Sequence, residues 1–359
     1  MKVCIIRSQY RALILWRLSL NQKIAVLGTG ANGSCAAADI TRAGFDVDLI
    51  DQWPDHIEAM RENGLTICMP DEELNVPVSA FHLCELASNN VQYDIVLLYT
   101  KAYDTRWSCE LIKPYLHEDG LLVGMQNSMT VEDIVDIVGA ERTIGSVVEC
   151  SSEIFTPGIV QRNTPPEKTW FGLGTIEGSR DESVERAAEL LRKVGNVSII
   201  DDIISAKWIK LVINTTMAVV ATSGLNGVEG LKAEGMRDAL MRVTGEALNV
   251  SQGMGYKPVP LFGLSEDDVK DTNRFLETLF DKMMADVGPA ARDCILQDHL
   301  KGRRSEAQEI NGLVIKRGEE LGLDTSVNAA IVEVSDRIHS GELTPGPETF
   351  ELVKEIIQS

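Results

Sequence analysis

Histidine is scarce in this chain. The five histidines, at 56, 82, 117, 299 and 339, are scattered with no HExxH or comparable spacing, which excludes a histidine-built metal centre. Cysteines number seven, an odd count, and no two stand at CxxC spacing. A disulfide framework and a zinc site are therefore not expected, and a reducing cytoplasm is the expected compartment. No stretch reaches the about 18 uninterrupted apolar residues of a transmembrane helix. Positive charge is also short: 34 Lys and Arg stand against 54 Asp and Glu, a formal net charge of −20. With no basic counter-surface, neither nucleic acid nor an anionic membrane is an expected partner. An anionic small molecule is not excluded, because a few placed cations override the global field.

What remains is an ordinary globular composition, 44% hydrophobic and 25% charged over 359 residues. At roughly 100–200 residues per domain, that length predicts two domains. The charge is uneven. Residues 1–21 hold four cations (Lys2, Arg7, Arg11 and Arg17) and no acid, so the remainder carries −24. This basic opening has no small-x-small cleavage site and only a five-residue apolar run between Arg11 and Arg17. It is read as a dispensable extension rather than a signal peptide.

Lys23–Leu27 is a short apolar run that predicts a buried parallel strand. Gly28, Thr29, Gly30, Ala31, Asn32 and Gly33 follow it directly, residues 34–43 predict a helix, and residues 45–51 predict a second strand ending in Asp51. A GxGxxG between strand and helix, with an acid closing the next strand, is the arrangement that binds a dinucleotide. Gly28 makes the turn, Gly30 admits the pyrophosphate, Gly33 packs helix on strand, and the helix N-terminus faces the phosphates. A carboxylate at Asp51 accepts from the adenosine ribose hydroxyls and repels a 2′-phosphate, and Gln52 and Trp53 supply no cation. NAD is expected over NADP.

Further strands, 93–100 and 120–125, are followed by Lys101 and by Gln126 and Asn127. In an open α/β sheet ligands bind beyond the carboxyl ends of strands, which places Lys101 and Asn127 at the site. A strand-rich stretch covers residues 143–176 with a hairpin turn at 156–158, and residues 182–194 predict an amphipathic helix. Residues 197–200 close the first domain, and the chain is helical from Ile203, interrupted by a loop at Pro258, Pro260 and Gly263; acids crowd the helix around 266–286. The fold class expected is α/β: a Rossmann-type doubly wound parallel sheet over 22–200, then an all-helical domain over 201–359.

Within the helical part, Lys210 and Asn214 stand four apart on one helix face, flanked by Trp208, Ile209, Leu211, Val212 and Ile213. A lysine on so apolar a helix either snorkels or faces a polar cleft. A second polar cluster runs from Cys294 to Gly312, in which Ser305 is suited to cap a helix beginning near Glu306.

These motifs together resemble the ketopantoate reductase (2-dehydropantoate 2-reductase) family, over nearly everything from about Gln22 onward. The resemblance is carried by the GxGxxG, by Lys101-Ala102-Tyr103, by Gln126-Asn127-Ser128-Met129, by Trp208 with Lys210 and Asn214, and by Gln297-Asp298 followed by Arg303, Arg304, Ser305, Glu306, Glu309, Asn311 and Gly312. It implies a Rossmann domain and a helical domain with the active site between them. It implies reduction of a 2-keto acid, 2-dehydropantoate or a relative, with Lys210 as general acid and Asn214 binding substrate. By the same resemblance Asn127 contacts substrate and nicotinamide ribose, and Lys101 lies near both ligands. Glu306 orients Lys210 or binds a substrate hydroxyl. Four positions depart from the family pattern: Ala218 and Cys294 where polar substrate contacts are usual, Ser128 for a glycine, and Asp51 for a base. A homodimer is the oligomeric expectation. Two rivals stand beside this reading, another two-domain Rossmann dehydrogenase of the opine or polyol type, and a non-catalytic NAD(H)-binding sensor.

Overall fold

Apolar runs too short for helices and bounded by glycine form strands, and the first of them builds the centre of a sheet. The computed structural model describes residues 22–261, 264, 265, 267, 275–278 and 291–358. The basic extension 1–21, Gly263 and most of the acidic stretch 266–286 lie outside the described residues.

β1 (Lys23–Leu27) is followed by α1 (Ala31–Arg42), β2 (Asp46–Asp51) and α2 (Pro54–Asn63). Then come β3 (Leu65–Cys68), β4 (Glu73–Val76), β5 (Ser79–His82), β6 (Tyr93–Leu98), α3 (Thr105–Ile112), β7 (Leu116–Gly124), α4 (Val131–Val138) and β8 (Thr143–Glu149). β9 (Ser152–Thr156), β10 (Ile159–Arg162), β11 (Trp170–Thr175), α5 (Glu182–Leu191) and β12 (Asn196–Ile199) complete the sheet region. The large sheet has the order β12-β11-β8-β7-β6-β1-β2-β5. β5 through β8 run parallel, and the strand order reverses between β1 and β6, so the crevice for a ligand opens beyond Leu27 and Leu98.

The parallel expectation fails at one edge. β11 pairs antiparallel with β8, because the chain first turns back through a small second sheet, β4-β3-β10-β9. β3, β4 and β5 have no counterpart among the strands expected from sequence. α1 begins at Ala31 rather than at 34, since Gly30 already serves as its N-cap.

From Ile203 the chain is helical: α6 (Ile203–Thr222), α7 (Gly227–Leu231), α8 (Met236–Gly253), α9 (Cys294–Leu300), α10 (Ala307–Leu321), α11 (Ser326–His339) and α12 (Pro347–Gln358). Among the described residues α6 alone is long and apolar enough to cross a membrane, and it is instead the core helix against which its neighbours pack. Asp202 caps it, accepting from the Ser205 amide at 3.0 Å. A buried pair, Arg162 on Asp39 at 2.6 Å, fastens the small sheet to α1.

Candidate active site

The glycine loop has the geometry its three glycines predict. Gly28 sits at φ +93°, and a Cβ there would lie 2.5 Å from the Thr100 amide nitrogen across the switch point. A Cβ on Gly33 would lie 2.2 Å from the Gly28 carbonyl oxygen, so helix and strand touch there. At Gly30 nothing stands within 4 Å, and the backbone faces open space at the N-terminus of α1. These observations fit a dinucleotide pyrophosphate. The loop is braced from behind: His56 is fully buried, its Nε2 donates to the Thr29 carbonyl at 2.8 Å, and its Nδ1 accepts from the Gly158 amide at 2.9 Å.

Asp51 stands at the mouth of this loop. Its Oδ2 accepts from the Thr29 amide at 2.6 Å and hydroxyl at 3.2 Å, and its Oδ1 accepts from the Trp53 amide at 2.9 Å. Thr29 is fully buried, so it holds Asp51 in place rather than facing a ligand. Gly28, Gly30, Ala31, Asn32, Gly33 and Asp51 all line one cavity of about 820 Å³. Lys101, Asn127, Lys210, Asn214, Cys294 and Glu306 line the same cavity, where the sheet meets α6, α9 and the start of α10. A volume of that order is at the upper end for ligand sites.

On the α6 wall, Lys210 Nζ lies 2.9 Å from Glu149 Oε2, with 16% and 23% of the two side chains exposed. Asn214, buried, donates from Nδ2 to Asn127 Oδ1 at 3.0 Å. Asn127 Nδ2 in turn lies 3.9 Å from Cys294 Sγ. Two amides, an ammonium and a thiol from three distant segments thus converge.

Lys101 and Glu306 meet each other instead of Lys210. Lys101 Nζ donates to Asp298 Oδ2 at 2.6 Å and to Glu306 Oε2 at 3.2 Å, while Glu306 Oε1 accepts from the Ala102 amide at 2.9 Å. The expectation that Glu306 orients Lys210 is therefore corrected: the carboxylate on Lys210 is Glu149, and Glu306 follows the β6 loop because its amide and ammonium face it. Burial opposes the Lys101 charge, but Glu306 and Asp298 outweigh it and hold the ammonium well above its usual range. Asp298 is pushed up by its own burial against the pull of Lys101. α10 begins at Ala307 with Glu306 as the N-cap residue, and Ser305 Oγ accepts from the Ala307 amide at 3.4 Å.

Gln126 ties the strand ends together, its Nε2 donating to the Thr100 carbonyl at 2.9 Å and to Thr105 Oγ1 at 3.0 Å. Ser128 has φ +65°, the one positive value outside glycine among the described residues. That conformation explains why a glycine suits the position, and the Ser128 hydroxyl offsets the strain by donating to the Glu309 carbonyl at 2.6 Å. Ala218 is corrected as well: it is 1% exposed inside the helical core, and Met217 takes the cavity face instead.

Four residues at the site had no role from sequence. Glu149 closes β8, and the strand-end rule that singles out Lys101 and Asn127 applies to it equally. Asp298 is visible only as part of a motif. Lys207 is buried, donates to the Gln126 and Ser146 carbonyls at 3.1 and 3.2 Å, and is lowered to about 8 by burial. Arg303 places its guanidinium 5.2 Å over the Trp53 ring, so the fold brings to the adenosine end a cation that Gln52 and Trp53 do not supply.

Asp293 caps α9, Oδ1 accepting from the Ile295 and Leu296 amides at 2.9 Å, while Oδ2 is buried without a partner. Burial pushes this carboxyl up to about 7. A folded-state value above the unfolded one binds protons preferentially in the native state, so its stability contribution is full below about 4 and is lost as pH rises through about 7. Asp293→Asn keeps a capping oxygen without the charge. We expect its thermal midpoint to match the parent at pH 4 and to exceed it at pH 8; a constant difference across that range would contradict the assignment.

Comparison with known proteins follows the same outline. The family model described as "Ketopantoate reductase PanE/ApbA" matches residues 24–175, and the one described as "Ketopantoate reductase PanE/ApbA C terminal" matches residues 202–339. The 2-dehydropantoate 2-reductase of Archaeoglobus fulgidus is 24% identical over 327 residues, covering 89% of this chain and 99% of its own. That of Pyrococcus abyssi is 28% identical over 314 residues, covering 85% and 94%. Among solved structures, a PanE/ApbA family ketopantoate reductase from Ralstonia eutropha superposes with a TM-score of 0.73 at 24% identity, covering 89% of this chain and 99% of that one. A ternary complex of D-mandelate dehydrogenase with NADH and anilino(oxo)acetate superposes with a TM-score of 0.76 at 20% identity, covering 89% and 99%.

Proposed function

The chain belongs to the ketopantoate reductase family, and we propose that it reduces a 2-keto acid to the 2-hydroxy acid with Lys210 as the proton donor. The observation that carries this reading is the Lys210 ammonium, held by Glu149 at 2.9 Å on the wall of the cavity that also contains the glycine loop.

A nicotinamide dinucleotide fits the loop of Gly28, Gly30, Ala31, Asn32 and Gly33, and when bound in its reduced form it supplies a hydride. As C2 of the keto acid gains that hydride, negative charge grows on the carbonyl oxygen. Lys210 stabilises the charge and passes a proton from Nζ to that oxygen, leaving the 2-hydroxy acid and a neutral amine. Glu149 keeps the ammonium aimed. Asn127 and Asn214, coupled at 3.0 Å, present amide groups to the substrate. Lys101 is fixed by Asp298 and Glu306 at the strand ends, where it places positive charge near both ligands without being free to move.

Asp51 supports NAD as the preferred cofactor, since its carboxylate faces the position of a 2′-phosphate. Arg303 acts the other way. Its guanidinium gives residual affinity for the phosphorylated cofactor, so Arg303→Ala is expected to lower NADPH use more than NADH use. The test of the whole reading is oxidation of NADH and NADPH over a panel of 2-keto acids. Turnover is expected, faster with NADH. Tight NADH binding with no turnover on any of them would establish the non-catalytic sensor instead.

A further inference from the structure

We propose that the substrate of this cleft is a 2-keto acid whose side chain is apolar and carries no hydroxyl or charged group. The proposal rests on the reading that Lys210 faces the keto oxygen, and it concerns the arm of the cavity beyond that point.

α6 carries the cavity wall onward from Lys210. At ~100° per residue, Lys210, Asn214, Met217 and Val220 fall along one side of the helix, and all four line the cavity. The stripe grades from ammonium to amide to thioether to branched alkyl. From Asn214 to Val220 it advances about 9 Å, the length of a side chain of several carbons. The opposite wall continues the grade. Cys294 Sγ lies 3.9 Å from Asn127 Nδ2 on its polar side and 3.8 Å from Met217 Sδ on its apolar side. Leu231 and Ala291 line the cavity as well.

Among the polar groups of the described residues in this arm, Arg292 reaches out to Glu153 at 3.5 Å, and Thr216 and Asp293 are engaged or closed off. The Thr216 hydroxyl donates to the Ile213 carbonyl at 2.7 Å. Asp293 holds the α9 amides through Oδ1, and its Oδ2 is sealed from solvent. A substrate hydroxyl carried into this arm would exchange water for two sulfur atoms and methyl groups. Leaving it without a partner costs on the order of 10-fold to 100-fold in kcat/KM, and a matching alkyl or phenyl group gains by a comparable factor. Met217 also suits an irregular apolar occupant, because its unbranched thioether adapts to shape.

The experiment uses the full chain with saturating NADH. It compares kcat/KM for ketopantoate, for pyruvate, and for 2-keto acids bearing an isobutyl or a benzyl side chain. We expect the isobutyl and benzyl substrates to exceed both others by about 10-fold or more, mainly through KM. Cys294→Ser is nearly isosteric and Met217→Ser removes the thioether; each is expected to reduce that preference several-fold while kcat on pyruvate changes less. The thermal midpoint of each variant confirms that it folds. Ketopantoate turned over as well as or better than the isobutyl acid overturns the proposal and leaves the 2-keto acid reductase reading standing. So does a preference that neither serine variant alters in a folded enzyme. Absence of turnover on every 2-keto acid, with NADH still bound, overturns the underlying reading and the proposal with it.

Discussion

Lys210→Met is expected to lower kcat by about 10³-fold while leaving NADH affinity within a factor of two or so. Two losses combine. The keto oxygen loses its proton donor and the positive charge that meets its developing negative charge, effects worth about 10²-fold to 10⁴-fold for a positioned acid. The substitution also leaves Glu149, with 23% of its side chain exposed, as a carboxylate facing an anionic substrate. That second effect is separable. Glu149→Gln added to Lys210→Met should recover part of the lost KM but none of the lost kcat, because it removes the repulsion without restoring a donor. Steady-state kinetics with a fluorescence titration of NADH make the distinction. A Lys210→Met variant retaining a tenth or more of wild-type kcat would remove Lys210 from the chemistry.

Lys101→Ala is expected to be the most destabilising single change at the site, by about 3–5 kcal/mol. Its ammonium is shared by Asp298 and Glu306, whose side chains are only 4% and 5% exposed. Removing the cation leaves two nearly buried carboxylates facing each other. The same ion cluster joins the β6 loop of the sheet to α9 and α10, so its loss also loosens the two walls of the cleft. The loss should shrink on acidification, since one of the orphaned carboxylates then takes up a proton. Denaturant unfolding of the variant at pH 5 and pH 8 checks this. A difference from wild type below about 1 kcal/mol at pH 8 would mean that the pair is hydrated and structurally dispensable.

The parts of the molecule that sequence revealed are those whose meaning is local. The glycine loop, the strand before it and Asp51 lie within thirty or so residues, and each has a steric or electrostatic requirement that few residue types meet. Lys210 and Asn214 could be paired because helical spacing alone puts them on one face. The family pattern, which puts a polar substrate contact at the position of Ala218, misled there. Four residues past Asn214, Ala218 rotates toward the core, while Met217, three past, returns to the cavity side. Glu149, Asp298 and Arg303 acquire their meaning from partners far off in the chain, at Lys210, Lys101 and Trp53, and only the fold supplies those pairings. β3, β4 and β5 were hidden for a related reason, since strands of four residues carry too little periodicity to be separated from loop. The acidic excess extends into the cleft, where Lys101 and Lys210 are each held by carboxylates and the groups left to face a ligand are amides and a helix N-terminus.

The central claim is hydride transfer to a 2-keto carbon inside this cleft. It is tested most directly by supplying NADH deuterated at the transferable C4 position, together with 2-keto acids, and locating the label by mass spectrometry and proton NMR. The account predicts one deuterium at C2 of the 2-hydroxy acid, with the hydroxyl proton derived from water and the rate of product formation collapsing in Lys210→Met. Cofactor oxidation with no label at C2, or label transfer that persists undiminished in that variant, would contradict it.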